Sequence, residues 1–97
     1  MSLEIIKQAI TNRNIIRFYY DDKQRIVEPY LIGNTSTGKQ SLRAYQIGGY
    51  SNSKIPAWKI FTVMNMYDVV LTDDSFSRRP DYNPNDRGMM SILYRVE

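Results

Sequence analysis

The sequence predicts a mainly β domain with one N-terminal helix, in which five short antiparallel strands form a small barrel. Two observations predict this fold. The hydrophobic period changes after residue 13, from helical spacing to the alternation of strands. Several β-branched and aromatic runs then follow one another at hairpin spacing, separated by turn-forming residues. A length of 97 residues suits one domain.

Residues 2–13 predict an amphipathic helix. Glu4 falls in its first turn, where a carboxylate complements the helix dipole. The apolar residues recur at helical spacing and form a broad stripe, made of Leu3, Ile5, Ile6, Ala9 and Ile10. A stripe of this width predicts that the helix packs against the sheet and covers one end of it.

The strands begin with NIIRFYY, whose residues alternate between two faces. Pro29 predicts a bulge or an edge position in the second strand, because proline cannot donate a ladder hydrogen bond. Closure into an SH3-like or Sm-like barrel would remove the exposed edges of the sheet. The five strands are predicted at residues 14–20, 25–32, 40–47, 58–63 and 66–72.

The chain after the fifth strand changes character. Residues 74–97 contain two prolines and lack periodicity in their first part, which predicts an irregular C-terminal arm. We therefore divide the chain into the helix plus barrel, residues 1–73, and the arm, residues 74–97. The last segment, residues 91–97, has two interpretations that the sequence leaves open: a sixth short strand or a segment that docks onto a partner.

Composition limits the chemistry that this chain can perform. It contains no cysteine and no histidine, which removes thiol nucleophiles, thiolate metal sites and the usual general base near neutral pH. We therefore predict a protein that is not an enzyme and holds no metal or cofactor. A Mg²⁺-dependent nuclease using Asp73, Asp74 and Asp81 is the enzymatic alternative. No apolar run approaches the roughly 20 residues of a membrane span, so we expect a soluble, cytoplasmic protein.

The charge is unevenly distributed along the chain. Residues 1–60 contain nine Lys and Arg against four Asp and Glu, a net +5, whereas residues 61–97 carry a net −2. An excess of positive charge favours a phosphate-bearing partner. A solvated basic surface without a partner is the alternative.

The third strand contains the residues that best fit such a partner. Alternation places Arg43 and Tyr45 on the face opposite Leu42 and Ala44, which we assign to the core. Arginine binds phosphate through two parallel hydrogen bonds, and tyrosine stacks on bases. Alternatively, the arginine lies across the tyrosine ring at the surface. Gln46 precedes a Gly-Gly loop and either contacts a base or caps the loop backbone.

Tyrosines and cations also alternate more widely in the first half of the chain. Tyr19, Tyr30, Tyr45 and Tyr50 interleave with basic residues, as in proteins that bind single strands. Protein interfaces are enriched in the same residue types, so a protein-interaction or homodimerisation module is the main alternative.

The order of elements and two motifs resemble the WYL domain, a bacterial and phage module usually found in transcription regulators. The likeness covers roughly residues 3–72. It is carried by I-x-F-x-Y at residues 16–20 and by R-x-V-E-P-Y at residues 25–30, followed by LRAYQ and WKIFTV. The resemblance implies an Sm-like barrel that binds a regulatory ligand.

The chain also departs from the family pattern. Only Leu42 remains of the Trp-Tyr-Leu triplet, and Thr62 and Asn65 stand where the family has arginines that help to form its ligand surface. Arg43 and Lys59 are the nearby cations that would take over part of this role. The winged helix that usually precedes the domain is not present, which predicts a stand-alone module.

These observations together predict a regulatory module that binds a nucleotide or single-stranded nucleic acid and acts on a protein partner. Its mechanism would combine phosphate neutralisation with aromatic stacking. A phage-encoded inhibitor or nucleotide sponge is a variant of the interaction alternative. The predicted binding residues are Tyr30, Arg43, Tyr45, Gln46 and Lys59.

Overall fold

The computed structural model describes residues 2–97, which form one α-helix and a six-stranded antiparallel sheet. A 3-10 turn over Val63–Asn65 separates the fourth strand from the fifth. The predicted helix and all five predicted strands are present, so the mainly β fold class is confirmed. The elements are α1 (Ser2–Asn12), β1 (Asn14–Tyr20), β2 (Lys23–Asn34), β3 (Gln40–Gly49), β4 (Ala57–Thr62), β5 (Tyr67–Ser75) and β6 (Ser91–Arg95).

The helix packs on the inner face of the sheet through its apolar stripe. Ile6, Ala9 and Ile10 are buried in one cluster with Ile16 and Phe18 of β1. Burial of one aliphatic side chain contributes about 1.5–3 kcal/mol. Because an isolated helix of this length is marginal in water, these contacts stabilise it more than helix propensity does.

The long strand β2 organises the sheet. The order is β4-β3-β2-β1-β5, and β6 pairs separately with β2. The first half of β2 pairs with β1, and residues Leu31–Asn34 pair with β6. Register shifts interrupt the β2–β3 ladder between Ile26 and Val27 and between Pro29 and Leu31. Of the bulge and the edge position predicted at Pro29, the register shift supports the bulge, a feature that bends strands.

The hydrogen-bonded sheet remains open. Within residues 2–97, no ladder joins β4 to β5, which are the two ends of the strand order. The backbone N–H of Thr62, the last residue of β4, instead donates to the hydroxyl of Tyr20 at 3.0 Å. A side chain thus satisfies a donor at the end of β4. The predicted closure into a barrel is not confirmed by the strand pairing.

The C-terminal part of the chain folds onto the sheet. The boundary that we predicted after residue 73 falls inside β5, and the segment 91–97 begins with a sixth strand. Between these strands, residues 76–90 lack regular structure, and we call them the β5–β6 segment. Tyr82 and Met89 of this segment are buried in the main core, together with Val96 after β6. Helix, sheet and C-terminal residues therefore share one hydrophobic core.

Candidate functional site

The five predicted binding residues do not form one surface. Register places Lys59 opposite Ala44, and Gln46 opposite Ala57, on the core-facing side of β3 and β4. Arg43 lies on the other side, where β3 residues alternate with the buried ones. Lys59 and Gln46 therefore cannot assist Arg43 on a common face. Strand alternation decides this outcome, since Gln46 follows Tyr45 and Lys59 pairs with a core position.

Tyr30 is a core residue. Its side chain is fully buried, with ring centroids 4.9 Å from Trp58, 5.0 Å from Phe76 and 4.7 Å from Tyr82. The Tyr30 hydroxyl accepts a hydrogen bond from the Arg79 backbone N–H at 2.9 Å. Burial raises the pKa of Tyr30 to about 12. This tyrosine holds the β5–β6 segment against the sheet and presents no ring to a ligand.

Gln46 caps the loop that follows β3. Its Nε2 donates to the carbonyl oxygens of Gly48 at 2.9 Å and of Tyr50 at 2.6 Å. The side chain is fully buried, and its Oε1 has no partner among residues 2–97. Of the two interpretations of Gln46, the structure supports the loop cap. Lys59 similarly donates to Ser53 Oγ of the same loop.

Arg43 is paired with a carboxylate of its own chain. Its Nε donates to Asp86 Oδ2 at 2.6 Å, and its Nη2 donates to Asp86 Oδ1 at 3.3 Å. The Gly88 N–H also donates to Asp86 at 2.8 Å. Burial acts to raise the pKa of Asp86, but the hydrogen bonds from Arg43 and Gly88 outweigh it, so this pKa lies below its ordinary value. Asp86 thus occupies the position that we predicted for a ligand phosphate.

Tyr45 is covered by the same segment. The guanidinium carbon of Arg79 lies 4.2 Å from the centroid of the Tyr45 ring. Arg79 also donates to both carboxylate oxygens of buried Glu28, at 3.0 and 2.9 Å. The hydrogen bond to Glu28 raises the pKa of Arg79 above its ordinary value. The outer face of β2 and β3 is therefore occupied by the β5–β6 segment.

Sequence reasoning did not identify the partners of this face. Arg79 and Glu28 are 51 residues apart, and Asp86 and Arg43 are 43 residues apart. No local pattern relates residues at such separations. The one local signal is the turn cluster NPNDRG at residues 83–88, which contains the aspartate that pairs with Arg43.

A cavity of about 220 Å³ remains beside this covered face. The Trp58 Nε1 donates to Asp81 Oδ2 at 2.8 Å at its edge. The rings of Trp58 and Tyr82 are nearly parallel, with centroids 6.1 Å apart and an interplanar angle of 25°. This cavity lies between the sheet and the β5–β6 segment, and we call it the Trp58 pocket. Its lining residues are Arg43, Trp58, Asp81, Tyr82, Asn83 and Asp86.

A second group of cationic and aromatic residues lies at the β1–β2 hairpin. Arg25 is only 8% exposed, and its guanidinium carbon lies 5.5, 5.4 and 5.8 Å from the ring centroids of Tyr20, Tyr50 and Phe61. The Lys23 Nζ lies 4.9 Å from the Tyr50 ring, which is 42% exposed. We call Lys23, Arg25 and Tyr50 the hairpin cluster.

Arg25 is a buried cation with few hydrogen-bond partners and no ion pair in the described chain. Its Nη2 donates to the Tyr20 carbonyl oxygen at 3.3 Å, but its Nε is buried without a hydrogen-bond partner. Within the described part of the chain, no carboxylate oxygen lies within 4.0 Å of its guanidinium group. The hairpin cluster therefore presents positive charge that this chain does not neutralise by an ion pair.

Gly49 explains how Tyr50 comes to lie over Arg25. Its φ is +79°, and a Cβ at this position would lie 2.3 Å from the Gln24 carbonyl oxygen. That oxygen accepts a hydrogen bond from the Tyr50 N–H at 2.8 Å. Gly49 thus permits a close approach of the chain to itself.

Two further findings concern metal binding and membrane-spanning helices. In the described residues, no group of three or more Asp and Glu side chains is arranged to hold a metal ion, and this includes Asp73, Asp74 and Asp81. No helix within residues 2–97 has the length and apolar character needed to cross a membrane.

Comparison with known proteins finds no match to a family model, to a curated protein or to a solved structure.

Proposed function

We propose that this chain is a non-catalytic regulatory module that binds a nucleotide or single-stranded nucleic acid through the hairpin cluster. The observation that carries the proposal is the buried guanidinium of Arg25, which has no carboxylate partner and lies beside the exposed ring of Tyr50. Phosphate would supply the missing negative charge, and Tyr50 would stack on a base.

The energetics support an anionic ligand. A buried charge costs several kcal/mol unless it is paired. The three aromatic rings around Arg25 offset part of this cost, by about 0.5–2 kcal/mol for each favourable cation–π contact. Lys23 adds a second positive charge, with its Nζ 4.9 Å from the centroid of the Tyr50 ring. An arriving phosphate therefore meets Arg25, which folding has already largely desolvated, and the exposed Lys23.

Further exposed aromatic residues lie on the outer face of β1. Tyr19 lies directly opposite Gln24 on one side and Tyr67 on the other, and the two tyrosines are 43% and 63% exposed. Arg17 is exposed on the same strand as Tyr19. Stacking on an aromatic side chain contributes about 1–3 kcal/mol per base. These residues form a separate aromatic and basic surface, because Arg25 pairs with the buried Phe18 and therefore lies on the opposite face of the sheet.

The family resemblance belongs to the same proposal. We infer an Sm-like or SH3-like barrel that is opened between β4 and β5, with a role in transcription regulation as in WYL domains. The strand order β4-β3-β2-β1-β5 and the bend of β2 support this inference. The binding residues differ from those predicted from the sequence, since the β5–β6 segment covers the Arg43 face.

The proposal is tested by fluorescence anisotropy with a labelled single-stranded oligonucleotide. Tyr50→Ala is expected to weaken binding by about 1–3 kcal/mol, the range for loss of one stacked base, and Lys23→Ala should weaken binding and reduce the salt slope by about one phosphate. The matched control is Lys39→Ala, an exposed lysine at the β2–β3 turn, which lies at the other end of the β2–β3 ladder. Binding of wild type should weaken with salt, with a slope of about −0.7 per neutralised phosphate.

Arg25→Met separates a binding role from a structural one. Methionine fills similar space without charge, so the melting temperature should stay constant or rise, as it does when buried ion pairs are replaced by apolar residues. Binding should nevertheless weaken. A large loss of stability with unchanged binding would show that Arg25 is a structural residue. Salt-independent binding, or equal binding by the Lys39 and Lys23 variants, would contradict the proposal.

Exposed apolar residues favour homodimerisation as a second candidate function. Tyr67 and Val70 on the edge strand β5 are 63% and 43% exposed, and the outer edge of β5 has no partner strand in the described chain. Edge strands readily pair with a second copy. Sedimentation velocity of wild type and of Val70→Lys tests this candidate: a dimer that the substitution dissociates would support it.

A further inference from the structure

We infer that the Trp58 pocket is a base-recognition site with a preference for guanine. This inference rests on the proposed binding of nucleotides but concerns a different part of the molecule from the hairpin cluster. The pocket volume of about 220 Å³ is smaller than the roughly 300–1,000 Å³ that encloses a drug-sized ligand. A single base is a ligand of suitable size.

The aromatic wall of the pocket is held in place before any ligand arrives. Trp58 is fixed by its hydrogen bond to Asp81 and by edge contacts with Tyr30 and Tyr45, whose ring centroids lie 4.9 and 5.0 Å away. Tyr82 is nearly parallel to Trp58, and Arg78 lies over the Tyr82 ring at 5.1 Å. A rigid ring loses little entropy on binding, so it is an effective stacking surface.

The hydrogen-bonding groups of the pocket are unequally occupied. Asp86 already accepts hydrogen bonds from Arg43 and Gly88. Asp81 accepts one hydrogen bond, from Trp58 to Oδ2, and its Oδ1 has no partner in the described chain. Asn83 accepts the Asn85 N–H through Oδ1 and leaves its Nδ2 as a donor. The pocket therefore offers a ligand both oxygens of the Asp81 carboxylate, since Oδ1 is free within residues 2–97 and Oδ2 keeps a second lone pair, together with one amide donor.

This combination matches one common base. Guanine presents the O6 acceptor beside two adjacent donors, N1–H and the N2 amino group, along its Watson–Crick edge. The Asp81 carboxylate can accept from both donors, while the Asn83 amide donates to O6 or N7. Adenine and cytosine present a donor beside an acceptor, and uracil presents one donor between two acceptors. Each of these places an acceptor against the Asp81 carboxylate, which is unfavourable.

The charges in the pocket also orient the ligand. The Asp86 carboxylate neutralises Arg43, so the remaining charge among the lining residues is that of Asp81. A carboxylate repels phosphate, and the phosphate of a bound nucleotide would therefore stay outside while the base enters. In this pocket Asp81 and Asn83 would therefore bind the edge of a base, and Arg43 would not contact the phosphate as the sequence predicts.

Trp58 reports directly on the pocket because it is the only tryptophan in the chain. Its fluorescence is measured while guanosine, inosine and adenosine monophosphates are added to the intact protein. Inosine lacks only the N2 amino group. We expect guanosine monophosphate to bind at least about tenfold more tightly than the other two, as for other bidentate contacts to a base.

Asp81→Asn is the diagnostic variant. Asparagine keeps an oxygen that can accept the Trp58 hydrogen bond but replaces the second acceptor by a donor, so the preference for guanosine monophosphate should disappear. Asp73→Asn is the matched control, since Asp73 is exposed on β5 and does not line the pocket. It should retain the preference.

The outcomes separate this inference from the proposed function. Equal affinity for the three nucleotides, or no saturable change in Trp58 fluorescence, overturns the guanine pocket. Oligonucleotide anisotropy, measured on the same preparation, then decides the proposed function independently. Salt-dependent oligonucleotide binding without a Trp58 response would leave the hairpin cluster as the binding site. A selective Trp58 response without oligonucleotide binding would support the pocket and overturn the strand-binding proposal.

Discussion

At the scale of single residues, Arg43 and Arg25 differ in whether a carboxylate of the chain pairs with the guanidinium group. The guanidinium of Arg43 is bound at two points by Asp86, whereas the guanidinium of Arg25 is buried against aromatic rings without a carboxylate. The sequence presents both as arginines on strands. Only the first is neutralised by the chain, so only the second retains charge for a ligand.

The first prediction concerns the stability of the Arg43–Asp86 pair. Arg43→Ala should lower the free energy of unfolding by about 1.5–3 kcal/mol, because it leaves a mostly buried carboxylate without its partner. Asp86→Ala should have a similar effect, and the double variant should lose less than the sum. Denaturant unfolding provides the measurement. Arg17→Ala, at an exposed position, should change the free energy by less than about 0.5 kcal/mol.

The second prediction concerns alkaline pH. Burial raises the pKa of Tyr30 and of Tyr82 to about 12, above the value of about 10 in an unfolded chain. The stability that depends on their neutral forms is fully present below pH 10 and is lost as pH rises towards 12. Unfolding free energies measured from pH 8 to 11.5 should therefore decline above pH 10. Tyr82→Phe should reduce this decline, and an unchanged decline would contradict the assignment.

At the scale of elements, β2 and the loop after β3 determine where the residues of the hairpin cluster lie. The bulges in β2 allow one strand to pair with β1, β3 and β6. The loop after β3 returns onto β2 through Gly49, and this contact places Tyr50 over Arg25. The hairpin cluster therefore depends on the backbone of a loop as much as on its own side chains.

The third prediction compares two glycines with the same backbone conformation. Gly38 and Gly49 have φ of +81° and +79°, so alanine costs about 1–2 kcal/mol at either position. A Cβ at Gly38 has no neighbour within 4 Å, whereas at Gly49 it would collide with the Gln24 carbonyl. Gly49→Ala should therefore lower the melting temperature more than Gly38→Ala, and it alone should weaken oligonucleotide binding. Equal effects would show that the collision is relieved without cost.

At the scale of the whole molecule, the acidic C-terminal part folds back onto the basic first part. Asp86 pairs with Arg43, and Asp81 binds Trp58. Tyr82, Met89 and Val96 complete the core from this part of the chain. The charge asymmetry of the sequence is thus partly neutralised within the fold, and the remaining positive charge at the hairpin cluster becomes the functional candidate.

The fourth prediction follows from the shared core. A chain that ends at Ser75 loses β6 and the three buried residues of the C-terminal part, each worth about 1.5–3 kcal/mol of burial. Because domains are stable by only about 5–15 kcal/mol, the shortened chain should not unfold cooperatively. Circular dichroism during heating tests this expectation. A cooperative transition close to that of the full chain would show that residues 76–97 are dispensable for folding.

Local sequence patterns are enough to predict the helix and the five central strands, and they limit Pro29 to a bulge or an edge position. These features follow from local periodicity and from the missing N–H of proline, which act over a few residues. The sequence also determined that Leu42 and Ala44 face the core, because strand alternation relates each residue to its neighbours.

Contacts between distant parts of the chain determine which side chains remain free to contact a ligand. The partners of Arg43 and Tyr45 are Asp86 and Arg79, which lie far away in the sequence. The core position of Tyr30 depends on contacts with the β5–β6 segment, which has no regular structure to predict. Pairing over such distances is fixed by packing of the whole chain, and local patterns contain no information about it.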